Sequence, residues 1–193
     1  MFLLHLFYKH LFTCQPADMR KSFLFLLMVV VPAVCFSQSF YFRHYQVEQG
    51  LSNNTVFSCQ QDKRGFLWMG TKDGLNRFDG YTFRVFRNDP DDSSSIGDNF
   101  IRSMFISAGD TLHAGTRNGL YRFNSQKENF TALYRGSDEV KDIKKDQQGN
   151  IWFVAGQTLF RVNEKTGAIR TYDPLRYFSA TSVCVDRYGG VWV

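Results

Sequence analysis

The chain has 193 residues, with 23 Lys and Arg against 18 Asp and Glu, a formal net charge of +5. Lys9, Arg20, Lys21 and Asp18 fall in the first 37 residues, so the remainder carries 20 basic and 17 acidic residues, too weak and too scattered an excess to argue for nucleic acid. Four cysteines (Cys14, Cys35, Cys59 and Cys184) show no CxxC or Cys/His spacing, which argues against zinc.

Met19-Arg20-Lys21 is a short basic start, and Ser22 to Phe36 is almost wholly apolar. Cys35 and Ser37 stand at the −3 and −1 places of a cleavage site. This pattern predicts a helical secretory signal peptide over residues 1–37, with Met19 as the natural start. The apolar run is shorter than the roughly 20 residues a spanning helix needs, which makes a lone membrane anchor the weaker reading. Pro32-Ala33-Val34 before Cys35 fits a lipobox poorly.

From residue 38 onward the chain repeats itself. Asp62-Lys-Arg-Gly65-Phe-Leu-Trp68-Met-Gly70-Thr-Lys-Asp-Gly74-Leu75-Asn-Arg77-Phe78-Asp79 is the clearest copy. A second runs from Asp110 through His113, Gly115, Gly119, Leu120 and Phe123 to Asn124. The third holds Asp146, Gly149, Trp152, Val154, Leu159 and Asn163, and the fourth begins with Asp186, Gly189 and Trp192. Trp68, His113, Trp152 and Trp192 share a column at spacings of 45, 39 and 40 residues. The longer first step comes from the polar insert Asn88–Ser95, a surface loop by composition. Val56, Ile101, Val140 and Ala180 form one apolar column, and Cys59, Met104, Ile143 and Val183 another.

Each copy reads as four short strands; in the first they are about Val56–Gln61, Phe66–Gly70, Leu75–Phe78 and Tyr81–Phe86. Gly65 suits a first turn, Lys72-Asp73-Gly74 a second, and Asp79-Gly80 a two-residue hairpin of the primed type. A four-stranded antiparallel sheet has two faces to cover, and radial stacking covers both. The expected fold is therefore all-β, a partial β-propeller of four-stranded antiparallel blades. About three complete blades and the start of a fourth occupy 38–193, with repeats over about 50–94, 95–135, 136–178 and 179–193. The tryptophan column should pack between sheets, and Gly70 and Gly115 should let backbones approach near the axis. Cys59 and Cys184 are read as buried small hydrophobes, not a disulfide. The charged run around Lys141, Lys144 and Lys145 is read as a solvated strand edge or turn. Helical repeats, a β-helix and a sandwich fit the turn chemistry or the period less well.

At Asp62–Asp79 the sequence resembles the two-component regulator propeller repeat, D-x-x-G-x-L-W-x-G-T-x-x-G-L-x-R-[FY]-[DN], and Gly50–Val56 is typical of a first repeat. The resemblance extends over about 41–193; His113 for Trp, Ser107 and Asp110 for Asp and Gly, and Val154 for Gly depart from it. It implies a periplasmic sensor region of a hybrid two-component histidine kinase. Its expected partners are an oligosaccharide, the remaining blades, the downstream kinase domains and, in the full-length receptor, a second copy. No position matches a phospho-accepting His, a receiver Asp or a helix-turn-helix, so no kinase chemistry, cofactor or metal is expected of this fragment. A propeller-fold carbohydrate-active enzyme and a protein-binding scaffold are the alternatives. Asp62, Asp146 and Asp186 recur beside a turn, which reads as turn capping and not as catalysis. Eight tyrosines after the leader, Tyr41, Tyr45, Tyr81, Tyr121, Tyr134, Tyr172, Tyr177 and Tyr188, could suit sugar faces, but strand packing accounts for most. No ligand contact is singled out. The sequons at Asn53 and Asn129 are read as coincidences. An open arc would expose apolar sheet faces and favour aggregation.

Overall fold

The computed structural model describes Lys21, residues 23–25, residues 41–173 and residues 179–193. The chain divides into two compact units, 1–43 and 44–193. In the first, Lys21 and residues 23–25 are helical, with Phe23, Leu24 and Phe25 exposed. The rest of the expected leader, including Met19, Cys14 and Cys35, lies outside the described residues. Among the described residues no helix is long and apolar enough to cross a membrane.

The second unit is built of strands. β1 (Val56–Gln61), β2 (Leu67–Thr71), β3 (Gly74–Phe78) and β4 (Phe83–Phe86) form the first sheet. β5 (Ile101–Ile106), β6 (Leu112–Thr116), β7 (Gly119–Asn124) and β8 (Asn129–Arg135) form the second. β9 (Val140–Lys145), β10 (Asn150–Ala155), β11 (Thr158–Asn163) and β12 (Ile169–Tyr172) form the third. β13 (Cys184–Val185) and β14 (Val191–Trp192) pair as the start of a fourth. Pairing is antiparallel throughout, and strands lie in chain order, as short turns require. The first strand of each four-stranded sheet carries a bulge opposite the end of the second, at Phe57, Arg102 and Lys141. A bulge adds twist and re-aims one side chain.

Three apolar clusters lie between consecutive sheets. Trp68, Leu75 and Phe86 of the first sheet meet Ile101, Met104, Leu112, Ala114, Tyr121, Phe123 and Phe130 of the second. Leu120 and Tyr134 of the second meet Val140, Ile143, Ile151, Phe153 and Phe160 of the third. Trp152, Val154 and Leu159 of the third meet Ala180, Val183 and Val191. β10 shows the logic in one strand. Ile151, Phe153 and Ala155 point to one neighbour, Trp152 and Val154 to the other, so Ile-Trp-Phe-Val-Ala is an unbroken apolar run because both faces are covered.

The innermost strands approach closely, with β5 against β1 and β9 against β5. A Cβ on Gly70 would lie 2.9 Å from Ile101 Cγ2, and one on Gly115 would lie 2.7 Å from Val140 Cγ1. In the third sheet that position is Val154, and it faces Ala180, the smallest member of the incoming column. Bulk has moved from one side of the interface to the other, which keeps the packing density that sheet stacking needs.

Three local expectations change. The first β3–β4 loop is Asp79–Thr82, because Asp79 Oδ1 accepts from Tyr81 N (2.8 Å) and Thr82 N (2.7 Å), and β4 starts at Phe83. The side chain closes a wider turn than the two-residue type. Cys59 and Cys184 are free thiols and exposed. Cys59 belongs to a column that a preceding sheet buries elsewhere, at Met104, Ile143 and Val183, and no sheet among the described residues precedes the first. The charged run of β9 is half-buried and bonded: Lys141 Nζ donates to Gly156 O and Ala180 O, both 3.2 Å, and Asp142 Oδ2 accepts from Ser182 Oγ (2.7 Å) and Val183 N (3.0 Å). Burial opposes the Asp142 charge, but the bonds from Lys144, Val183 and Ser182 prevail and lower its pKa.

Candidate functional site

The recurring residues form a clamp in three of the four copies. Asp62 Oδ2 accepts from Trp68 Nε1 at 3.0 Å, Asp146 Oδ2 from Trp152 Nε1 at 2.9 Å, and Asp186 Oδ2 from Trp192 Nε1 at 2.9 Å. The other oxygen closes the turn. Asp62 Oδ1 takes Arg64 N and Phe66 N, both 3.0 Å, Asp146 Oδ1 takes Asn150 N at 2.8 Å, and Asp186 Oδ1 takes Tyr188 N and Gly190 N, both 2.8 Å. Gly65, Gly149 and Gly189 sit at φ 90°, 86° and 85° inside these turns, where a Cβ is unfavourable. Asp110 holds the same column at φ 62°, and its carboxylate reaches the preceding sheet, accepting from Lys63 N at 2.9 Å. The Trp192 bond is the largest influence lowering the Asp186 pKa. For Asp146, burial pulls upward and the bonds from Asn150 and Trp152 outweigh it. All oxygens of the aspartates are committed to turns and indoles, a structural office that leaves little for catalysis. Gly74, Leu75 and Phe78 lie in β3, Gly119, Leu120 and Phe123 in β7, and Leu159 in β11, all buried.

The second sheet solves its anchor differently. Ser107 cannot reach across to hold an indole, and His113 stands in the tryptophan column, fully buried. Its Nε2 lies 2.7 Å from Glu164 Oε1, on the β11–β12 turn of the next sheet, and Lys145 Nζ contacts the other carboxylate oxygen. Nδ1 has no partner. The His113 bond, more than Lys145, overcomes burial and lowers the Glu164 pKa from 4.5 to about 2. Glu128 does the same one sheet earlier, pairing with Arg77 at 3.0 Å and with Arg84. Buried His113 is the one histidine close to a carboxylate among the described residues. Among those residues no group of three His, Cys, Asp or Glu is placed to hold a metal ion.

Chemistry directed outward is found on the opposite edge, where the β2–β3 and β6–β7 turns meet the connection between the first two sheets. A cleft of about 310 Å³ opens there, lined by Lys72, Asn88, Gly97, Asp98, Asn99, Phe100 and Arg117. Its walls are fixed by hydrogen bonds. Asn99 O accepts from Gly74 N and Asn99 Oδ1 from Asn88 N, both 2.7 Å. Asn118 Nδ2 donates to Gly97 O at 2.8 Å, and Asp98 Oδ1 accepts from Phe100 N at 2.6 Å. A Cβ on Gly97 would overlap the Tyr121 hydroxyl, so only glycine lets the connection lie this close to β7. Arg117 lies 4.7 Å over the Phe100 ring, and Phe100 packs on Phe57 with centroids 4.7 Å apart.

Lys72 and Arg117 both stand four residues after the anchor column, in consecutive copies. Neither has a carboxylate partner among the described residues, whereas nearby Arg87 pairs with Asp73 at 3.1 Å and Arg102 with Glu139 at 3.0 Å. Sequence reasoning did not find this cleft. The available signal was a position that differs between copies, Lys72, Arg117 and Gly156, within an otherwise regular turn. Of the tyrosines, Tyr121 is buried, Tyr134 packs on Phe153 and Phe160, Tyr172 on Trp152, and Tyr45 on Phe78 and Phe83. Tyr41, Tyr81 and Tyr188 are exposed, and Tyr177 lies outside the described residues.

Comparison with known proteins places this architecture. Residues 50–73 match the family model described as two component regulator propeller. Histidine kinase P4 of Formosa agariphila is 50% identical over 60 residues, which are 31% of this chain and 4% of that protein. The extracellular domain of a hybrid two component system of B. thetaiotaomicron superposes with a TM-score of 0.68 at 25% identity, over 77% of this chain and 23% of that one. The extracellular domain of a one component system of the same organism gives 0.62 at 19% identity, over 80% and 22%, a likeness of fold. The chain thus spans a small part of each of these relatives.

Proposed function

We propose that this chain is a two component regulator propeller, a ligand-sensing propeller segment of an extracellular signalling receptor. Its ligand is an oligosaccharide, and occupancy is passed to a histidine kinase elsewhere in the same receptor. The segment itself binds and does not catalyse. The observation that carries this reading is the stack of repeat-encoded blades, whose first repeat matches the family model over residues 50–73. Likeness to the extracellular domain of a hybrid two component system and to a histidine kinase supports it. The same likeness and the signal-peptide pattern support a periplasmic place for the segment. The arrangement of groups fits binding better than catalysis: the recurring carboxylates are consumed by turns and indoles, and the free polar groups line an open cleft.

The test is calorimetric titration of the complete receptor ectodomain with a panel of oligosaccharides, alongside autophosphorylation of the whole receptor. Saturable binding by one saccharide class, with a matching change in phosphorylation, is expected. No binding by any member of a broad panel would overturn the reading.

A further inference from the structure

The cleft between the first two blades has a chemical bias. Lys72 and Arg117 approach it from the equivalent turns of neighbouring sheets, and neither charge is neutralised by a carboxylate partner among the described residues. Several other cations of the unit are paired. Arg77 and Arg84 meet Glu128, Arg87 meets Asp73, Arg102 meets Glu139, and Lys145 meets Glu164. Two unpaired cations facing one cleft leave a local positive field that a ligand anion can answer.

The remaining groups suit a polyol. Asp98 Oδ1 is held by Phe100 N, and Oδ2 remains able to accept from a hydroxyl. Asn88 and Asn99 line the same wall with their geometry already fixed by bonds to the connection, so little ordering is needed when a ligand arrives. Stacking on Phe100 holds the Arg117 guanidinium in place, and a guanidinium presents paired donors that match a carboxylate or a sulfate. The volume of about 310 Å³ is at the small end of ligand clefts, the size for an end unit of a chain and not for a long oligomer.

We infer that this cleft binds an anionic sugar unit, a saccharide residue bearing a carboxylate or a sulfate ester, with Lys72 and Arg117 on the anion and Asp98 on hydroxyls. The inference rests on the saccharide-sensing reading above and names the class of ligand and its place. Binding at such a site weakens with added salt, because the ligand charge and the two cations are solvent-accessible.

The experiment titrates the complete receptor ectodomain with uronate-terminated and sulfated oligosaccharides, with neutral oligosaccharides of equal length, and with inorganic sulfate alone. The same titrations are run on Lys72→Ala and Arg117→Ala. Both side chains are exposed, so circular dichroism of each variant should match the parent. Anionic oligosaccharides should bind, each substitution should weaken them at least tenfold, and neutral ones should bind at least tenfold more weakly than anionic ones. Equal binding of neutral sugars, or anionic binding indifferent to both substitutions, would overturn the inference while leaving saccharide sensing intact. Sulfate alone matching the oligosaccharides would reduce the cleft to a simple anion site and also overturn it. No binding of any saccharide to the ectodomain would remove the saccharide reading as well.

Discussion

Trp68 and Trp192 occupy the same place in the repeat and make the same bond to an aspartate six residues upstream, at 3.0 and 2.9 Å. Yet Trp68 is 1% exposed and Trp192 66%. The difference is the neighbour. Phe86 of its own sheet and Phe123 of the next pack on Trp68, with ring centroids 5.8 and 4.9 Å away, while Trp192 has no following sheet among the described residues. The opposite face repeats the lesson: Val56 is 42% exposed, and Ile101, its counterpart one blade on, is fully buried. In this architecture the turn sets the position of a side chain, and the adjacent blade supplies its burial.

The comparison can be broken most readily at the tryptophans. Trp68→Ala should destabilise the unit by about 3–5 kcal/mol, the usual range for removing a buried aromatic, whereas Trp192→Ala should cost under ~1 kcal/mol. Urea denaturation of the two variants measures this, and equal costs would refute the dependence on neighbours. The apolar columns sharpen it. Ile101→Ala should cost roughly 2–4 kcal/mol, and Val56→Ala about 0.5 kcal/mol or less.

A third, smaller effect concerns the anchor of the second blade. Glu164 has its pKa lowered from 4.5 to about 2 by His113 and then Lys145. A depressed carboxylate stabilises the fold fully above its unfolded value, and that contribution fades as pH falls from 4.5 towards about 2. Glu164→Gln should lower stability at neutral pH by on the order of 2 kcal/mol and flatten the acid limb of the stability curve in that window. An unchanged acid limb would mean that Glu164 does not bridge the blades. Smallest in energy is the thiol outcome: Cys59 and Cys184 are exposed, so both should react with a thiol reagent in the folded chain, and protection of either would contradict the open faces.

Much of this organisation was legible in the sequence, because strand and turn chemistry recurs in register. β1 runs over Val56–Gln61, where the alternation and the flanking turn residues put it, and the blade-like sheets follow from the columns. What the pattern could not carry was partnership. Asp79 closes its turn by side-chain bonds to two amides, which a two-letter hairpin signal does not encode. His113 breaks the tryptophan column, and its partner Glu164 lies 51 residues away in a turn of the next blade. Val154 in a glycine column is explained only when Ala180 is seen opposite. The cleft was hidden for the same reason: Lys72 and Arg117 are unremarkable surface residues in one dimension and neighbours only after two blades stack.

Fluorescence quenching of the Trp192→Phe variant by acrylamide tests the stacking most directly. The chain has three tryptophans, and Trp68 and Trp152 are 1% and 9% exposed. The substitution should therefore remove nearly all readily quenched emission and leave a shielded remainder. Quenching as efficient as in the parent chain would mean that Trp68 or Trp152 is open to solvent, and that the blades do not cover one another.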